Sequence, residues 1–324
     1  MKAKALIIRF NAIGDIVLTT PVISALAEAN YEVHYLTKKA FSEILETNPH
    51  VDRVITLEDS LSDVIDIIKV IKYDVVIDLH RNIRSRRVSQ SVSCPSYRLK
   101  KNRVALWALT ETRWKTHKEK HIVSRFMDVL QPLGITEDNP QTEYYLEKNA
   151  SSKKENHHGN YMVIAVGAAW KTKCIPESSI IHIVNNSSFE EIVLIGGPDD
   201  KEIASRISTK LSRPVSNQVG LLSINESAKL ISEARVLLTG DTGMMHIAAA
   251  FGVPVVAVFG STHPSLGYVP HYGNRNVDHY IIENNDISCR PCTKQGKTKC
   301  PKGHFKCMND LSPSEILDKV DSFL

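Results

Sequence analysis

No apolar run in this 324-residue chain is long enough to cross a bilayer. The longest, Ala248 to Gly260, is interrupted by Gly252 and Pro254 and falls short of the ~20 residues a spanning helix needs. The N-terminal apolar run stops at Arg9, too short for the core of a secretory signal, so the sequence predicts a cytoplasmic protein. Low-complexity tracts are absent, and hydrophobic and charged shares of 42% and 23% are ordinary for a folded enzyme, which excludes extended disorder. Cysteine is scarce at six residues, and Cys94 and Cys174 stand alone.

Charge of one sign is nearly balanced overall, at +4, but it is unevenly placed. Between Arg81 and Arg125 there are thirteen Lys and Arg against two acids, Glu111 and Glu119. Such a segment attracts a phosphorylated partner, an anionic membrane surface or nucleic acid, although each residue singly is also what a solvated basic face carries. Only Tyr97, Trp107, Trp114 and Phe126 supply aromatic rings there, and no recognition motif accompanies them, which argues against nucleic acid.

Strand-like and helix-like stretches alternate. ALIIRF (5–10), YEVHYLT (31–37), RVITL (53–57) and DVVIDLH (74–80) read as strands, with helices predicted over 14–30, 39–48 and 61–71. Periodicity weakens over 81–120, and a helix over 124–133 stops at Gly134. After the polar stretch 147–160 the alternation restarts. YMVIAVGA, EIVLIGG, RVLLTGD and PVVAVFG read as strands, with a shorter one near Val215. Helices are predicted over 177–185, 200–211, 224–234 and 243–251, and a last one over 313–324 that could pack on either half. This pattern predicts an α/β protein of two doubly wound domains: residues 1–150, a linker over 151–160, a second domain over 161–311 and a C-terminal helix over 312–324.

Ligands in such sheets bind beyond the carboxyl ends of the strands, so the loops there hold the candidates. GDTGMMH (240–246) runs from a strand straight into a helix, with Asp241, Thr242, Gly243 and His246 at its mouth. Free N–H groups and the helix dipole attract an anion there, while simple capping by Asp241 or Thr242 is the competing reading. GAAWKTKCIPES offers Gly167 for close backbone approach and Lys171 and Lys173 as mobile cations beside a leaving diphosphate, or as ordinary loop lysines. In PDDKE, Asp199, Asp200 or Glu202 could accept ribose hydroxyls or simply favour a helix start. In FNAIGD, a turn at Gly14 sets Asp15 at a helix start, where a carboxylate can take a proton from an attacking hydroxyl or merely stabilise the helix. Cys289, Cys292, Cys300 and Cys307, with His304 between the last two, could close a tetrahedral zinc site. The second half lacks a tight ligand pair, and reduced thiols in a binding loop are the favoured reading.

These segments together resemble glycosyltransferase family 9, the ADP-heptose:lipopolysaccharide heptosyltransferases. FNAIGDIVLTTPVISAL, GAAWKTKCIPES and GDTGMMHIAAAFGVPVVAVFGSTHP carry the likeness in order along the chain, and the CRPC to KCM stretch is similar to one in heptosyltransferases of the second type. The resemblance implies a GT-B fold, two Rossmann-like domains facing across a cleft. The acceptor would bind the first domain, with Arg81, Arg84 and Arg86 meeting its anionic groups, and the nucleotide sugar the second. It implies Asp15 as general base and Lys173 as the cation beside the diphosphate. Gly14, Gly167, Asp200, Asp241, Thr242, Gly243 and His246 would bind the donor, with Asp200 on the ribose. It implies an inverting, metal-independent transfer of heptose or a related sugar to a phosphorylated lipopolysaccharide core at the cytoplasmic face of the inner membrane. Nucleic acid and a stable protein partner are not expected. The sequence departs from the family pattern at Ile175, where Trp is usual, and at Ala168 and Ala169, where hydroxyl residues are usual. A nucleotide-sugar epimerase on the same fold is the alternative, and a basic nucleic-acid-binding protein a further one.

Overall fold

A computed structural model describes residues 2–100, 120–147 and 160–324. These divide into two compact units, one built from 2–100 with 120–147 and the other from 160–324. The predicted linker, apart from Asn160, and the basic residues over 101–119 lie outside the described residues.

In the first unit, strands β1 (Ala3–Ile8), β2 (Tyr31–Lys38), β3 (Arg53–Leu57), β4 (Val75–Asp78) and β5 (Ser96–Arg98) form a sheet in the order β3-β2-β1-β4-β5. Every pairing is parallel, with Ala5 opposite Val33 on one side and Val75 on the other. Parallel strands are covered on both faces, which is why ALII of β1 and VVI of β4 read as apolar runs. Leu6, Ile8, Leu36 and Val76 pack on Val64 and Ile68 of helix α4 (Leu61–Val70) and on Val88 of α5 (Ile83–Gln90).

The single helix predicted over 14–30 is two, α1 (Ile13–Val17) and α2 (Thr20–Glu28). Pro21 has no N–H to offer the Val17 carbonyl, so the ladder breaks there. The Thr19 and Thr20 hydroxyls donate instead to the Ile16 and Val17 carbonyls, each at 2.7 Å. Gly14 is the second residue of α1, buried, and not the predicted turn. The helix predicted over 39–48 reduces to a 3₁₀ turn (Lys39–Phe41) and one α turn, α3 (Glu43–Glu46). Conversely, α5 and β5 fall where the periodicity weakens: α5 buries only Ser85, Val88 and Ser89, and β5 is a three-residue edge strand. Helix α6 (Ile122–Met127) passes into a 3₁₀ stretch ending at Gly134.

The second unit contains β6 (Tyr161–Ala165), β7 (Glu191–Ile195), β8 (Ser216–Asn217), β9 (Val236–Gly240), β10 (Val255–Phe259) and β11 (Tyr280–Glu283), in the order β11-β10-β9-β6-β7-β8. All pairings are again parallel. Helices α7 (Glu177–Asn186), α8 (Lys201–Ser208), α9 (Ile224–Glu233) and α10 (Gly243–Phe251) occupy the predicted places, and a short α11 (Lys306–Asn309) precedes α12 (Pro313–Asp321). Ile316 and Val320 bring α12 into the core of this second unit beside Ile180, Ile183 and Val256, and the Ser187 hydroxyl donates to Asp321 at 2.8 Å.

Strand order reverses direction between β1 and β4 in the first unit and between β6 and β9 in the second. At such a reversal the loops leave on opposite sides of the sheet and open a crevice. The loops after β1, β4, β6 and β9 are therefore where each unit can hold a ligand.

Candidate active site

In the first unit, Asp15 sits in the first turn of α1, directly after the β1 loop. Its Oδ2 lies 2.5 Å from the Arg9 guanidinium and accepts from the Ala12 N–H at 3.3 Å. Arg9 is itself buried and locked: Nε donates to the Asn11 carbonyl at 2.9 Å, one terminal nitrogen to the Leu79 carbonyl at 2.7 Å, and the guanidinium lies 5.7 Å from the centre of the Phe126 ring. Arg9 thus ties the loops after β1 and β4 together and orients the Asp15 carboxylate. Sequence reading missed it, although one charge closing the run ALII was a visible signal.

The β4 loop is set by Asp78, which is fully buried. One of its oxygens accepts from the His80 and Arg81 N–H groups at 3.1 and 2.8 Å, the other from the Ser85 hydroxyl and Arg98 Nε at 3.0 and 2.9 Å. A buried carboxylate is tolerated when its lone pairs are filled in this way. The result is a cavity of about 450 Å³ lined by Phe10, Asn11, Lys38, His80, Asn82, Ile83 and Arg84. Of the three arginines expected to meet an acceptor, Arg84 lines this cavity and Arg86 does not, while Arg81 directs its guanidinium to the Leu99 carbonyl at 2.9 Å.

In the second unit the loops after β6 and β9 are joined by an ion pair. Lys173 Nζ lies 2.8 Å from Asp241 Oδ2, which also accepts the Thr262 hydroxyl at 2.8 Å. Lys173 is therefore held, not mobile as the loop composition suggested, and Lys171 is the exposed one of the two. The close approach requires glycine at 240: a Cβ there would stand 2.1 Å from the Lys173 carbonyl oxygen.

Helix α10 begins immediately beyond this pair. Thr242 occupies the cap position but makes no side-chain cap, because its hydroxyl pairs with that of Thr239 at 2.8 Å. Capping by Asp241 or Thr242, the rival reading, is thus not how this helix starts. Its first amides and the positive end of its dipole are left without a side-chain cap. His246, one turn inside, is buried.

Asp200 stands beside the β6 loop. Its Oδ2 accepts the Gly197 N–H at 2.9 Å, and a Cβ on Gly167 would fall 1.8 Å from that oxygen, so Gly167 is the residue that lets the carboxylate approach the β6 end. Burial pushes the Asp200 carboxyl above its ordinary range, partly offset by the Gly197 hydrogen bond. Structure thus gathers Gly167, Lys173, Asp200, Asp241, Thr242, Gly243 and His246 around the carboxyl end of one sheet, and Gly14 and Asp15 on the other unit.

The thiols of Cys289, Cys292, Cys300 and Cys307 lie near enough to one another to interact electrostatically. All six thiols are free, and among the described residues no three His, Cys, Asp or Glu side chains are arranged to hold a metal ion. Burial pushes the Cys307 thiol up to about 12, and Cys289 Sγ lies 3.9 Å from His304 Nε2.

The profile of glycosyltransferase family 9 (heptosyltransferase) matches residues 64–302. The chain belongs to this family. It is accordingly a glycosyltransferase. Among its relatives, lipopolysaccharide heptosyltransferase 3 of Escherichia coli K12 is 29% identical over 283 residues, covering 77% of this chain and 80% of the relative. Lipopolysaccharide heptosyltransferase 1 of Pseudomonas aeruginosa is 24% identical over 362 aligned positions, covering 99% and 98%. Among solved structures, a family 9 glycosyltransferase from Veillonella parvula superposes with a TM-score of 0.79 at 19% identity, covering 99% of this chain and 97% of that one. The E. coli ADP-heptose heptosyltransferase II superposes at 0.78 and 15% identity, covering 99% and 98%. These likenesses establish the fold as GT-B, with two doubly wound parallel-sheet domains.

Proposed function

We propose that this family 9 enzyme moves heptose, or a closely related sugar, from ADP-heptose or another nucleotide diphosphate sugar onto a phosphorylated lipopolysaccharide core. The observation that carries the reading is the Lys173–Asp241 pair at the uncapped start of α10, on the reversal point of the second sheet. A diphosphate is the ligand that such a place suits: amides and dipole meet its oxygens, and the adjacent ammonium offsets the charge that grows as the glycosidic bond breaks. Asp200 is assigned to the ribose hydroxyls.

In the transfer step the acceptor hydroxyl oxygen bonds to the anomeric carbon, inverting it. The bond from that carbon to the diphosphate breaks, and the nucleotide diphosphate leaves with the electron pair. The hydroxyl proton goes to the Asp15 carboxylate, whose Oδ2 is already occupied by Arg9 and the Ala12 amide, so that Oδ1 is the accepting oxygen. Lys38 and Arg84 in the first unit's cavity are assigned to an anionic group of the acceptor. The positive charge that a divalent ion would bring is supplied by Lys173 and the helix start, so chelation leaves the rate unchanged in this reading, and its loss in EDTA would overturn that part. No helix among the described residues is long and apolar enough to cross a membrane. The enzyme is assigned to the cytoplasmic face of the inner membrane, where such an acceptor lies.

The test is incubation with ADP-heptose and a heptose-deficient lipopolysaccharide core, read by mass spectrometry. A core extended by one heptose is expected. No extension with any nucleotide sugar would sink the reading, and turnover of the donor without acceptor would favour the epimerase alternative.

A further inference from the structure

Arg290 is among the most completely buried large side chains of the molecule, 1% exposed, on a segment that lies outside both sheets. A guanidinium cannot shed its charge, so placing it there is costly unless every donor is answered. Four of its five N–H donors are answered by carbonyls of one region. Nε donates to the Gly260 carbonyl at 2.5 Å, and Nη2 to the carbonyls of Phe259 and Thr262 at 2.9 and 3.0 Å. Nη1 reaches the Asn284 carbonyl at 2.9 Å, and Glu283 at the end of β11 lies 3.1 Å away as counter-ion.

Phe259, Gly260 and Thr262 are the exit of β10, where the chain turns away from the sheet. Three successive contacts from one rigid fork set the course of that turn. The turn presents the Thr262 hydroxyl to Asp241, and Asp241 in turn holds Lys173. A second strand of contacts runs the same way. Cys292, two residues beyond Arg290, donates its N–H to the Ser261 carbonyl at 3.2 Å, and the Ser261 hydroxyl donates to Thr172, the neighbour of Lys173, at 2.8 Å. Thr172 is further clamped by Lys297 of the same cysteine-bearing segment, accepting its N–H at 2.8 Å and donating to its carbonyl at 3.0 Å.

We propose that Arg290 is a positioning residue for the donor site: through the β10 exit it aims Thr262 at Asp241, and so sets where the Lys173 ammonium stands. The cysteine-bearing segment is then the support of the cationic loop, with Arg290 as its anchor. This inference rests on the donor-site reading above.

The experiment compares the full-length enzyme with Arg290→Lys, Thr262→Val, Lys173→Met and the double variant Arg290→Lys/Lys173→Met. Donor-analogue Kd is measured by calorimetry, with KM for donor and acceptor taken separately. Lysine keeps the charge but offers a point donor in place of the fork, and valine keeps the shape of threonine without its hydroxyl. Both single variants are expected to weaken donor binding at least 10-fold and to raise donor KM while leaving acceptor KM within twofold. The double variant is expected to bind donor no worse than Lys173→Met alone. A general structural defect would instead multiply the two losses and move both KM values, which overturns the proposal, as does donor affinity within twofold of the unaltered enzyme in both single variants. Should Arg290→Lys not fold, Thr262→Val with Lys173→Met completes the same cycle on the same link. If the unaltered enzyme binds no nucleotide sugar, the donor reading falls by itself. A crystal structure of Arg290→Lys then decides the positioning claim separately: a displaced Lys173 supports it, and an unmoved Lys173–Asp241–Thr262 arrangement overturns it.

Discussion

Asp15 has its carboxylate oriented by a buried arginine and a backbone amide, and it is the residue whose role is most sharply testable. Asp15→Asn keeps the shape and removes the base, so transfer is expected to fall by about 10²–10⁴-fold with donor affinity retained, measured by steady-state kinetics beside calorimetry. Loss of donor affinity in that variant would make Asp15 structural. Asp200 offers a pH test. Its folded-state pKa is raised by burial, so between the unfolded and folded values the native protein binds the extra proton, and stability falls as pH rises through that window. Asp200→Asn escapes this. Thermal melts should show the variant gaining on the unaltered protein as pH climbs from the ordinary aspartate range, and a pH-independent difference would contradict the assignment.

At the scale of elements, the second sheet meets its ligand loops through close approaches at Gly240 and Gly167. At Gly240 a Cβ would press on the Lys173 carbonyl, a backbone atom that cannot swing aside. Gly240→Ala is therefore expected to cost about 1–3 kcal/mol in chemical denaturation and to weaken donor binding as Lys173 shifts. Gly167→Ala meets instead the end of the Asp200 side chain, which can turn away. It should lose donor affinity to the same extent as Asp200→Ala, and the double variant should add nothing further. Independent losses that multiply would refute a shared cause.

For the whole molecule, α12 closes the core of the second unit from the far end of the chain. Ile316→Ala empties a fully packed position and is expected to cost about 2–5 kcal/mol. Hydrogen exchange should quicken over β6, β7 and β10 with the first unit's sheet unaffected, and faster exchange over β1 and β4 instead would contradict this assignment of the helix.

What was legible beforehand follows from burial. Parallel strands covered on both faces must be largely apolar, so β1, β4, β6, β7, β9 and β10 stood out, and with them the loops that carry Asp15, Lys173, Asp200 and Asp241. Edge strands β5 and β11 and the largely polar α5 bury too little to leave a pattern. Family membership was readable too, because the motifs are contiguous and keep their order along the chain.

Tertiary structure alone decided how those loops meet. Nothing in the spacing of Lys173, Asp241 and Thr262 announces one shared carboxylate, since residues 68 and 21 positions apart are joined only by the strand order β10-β9-β6. Nor does the chain announce that Arg9 would face Asp15, or that Arg290 would be buried among carbonyls. A charged side chain is read from sequence as solvated, and only the packing around it supplies the partners that make its burial affordable.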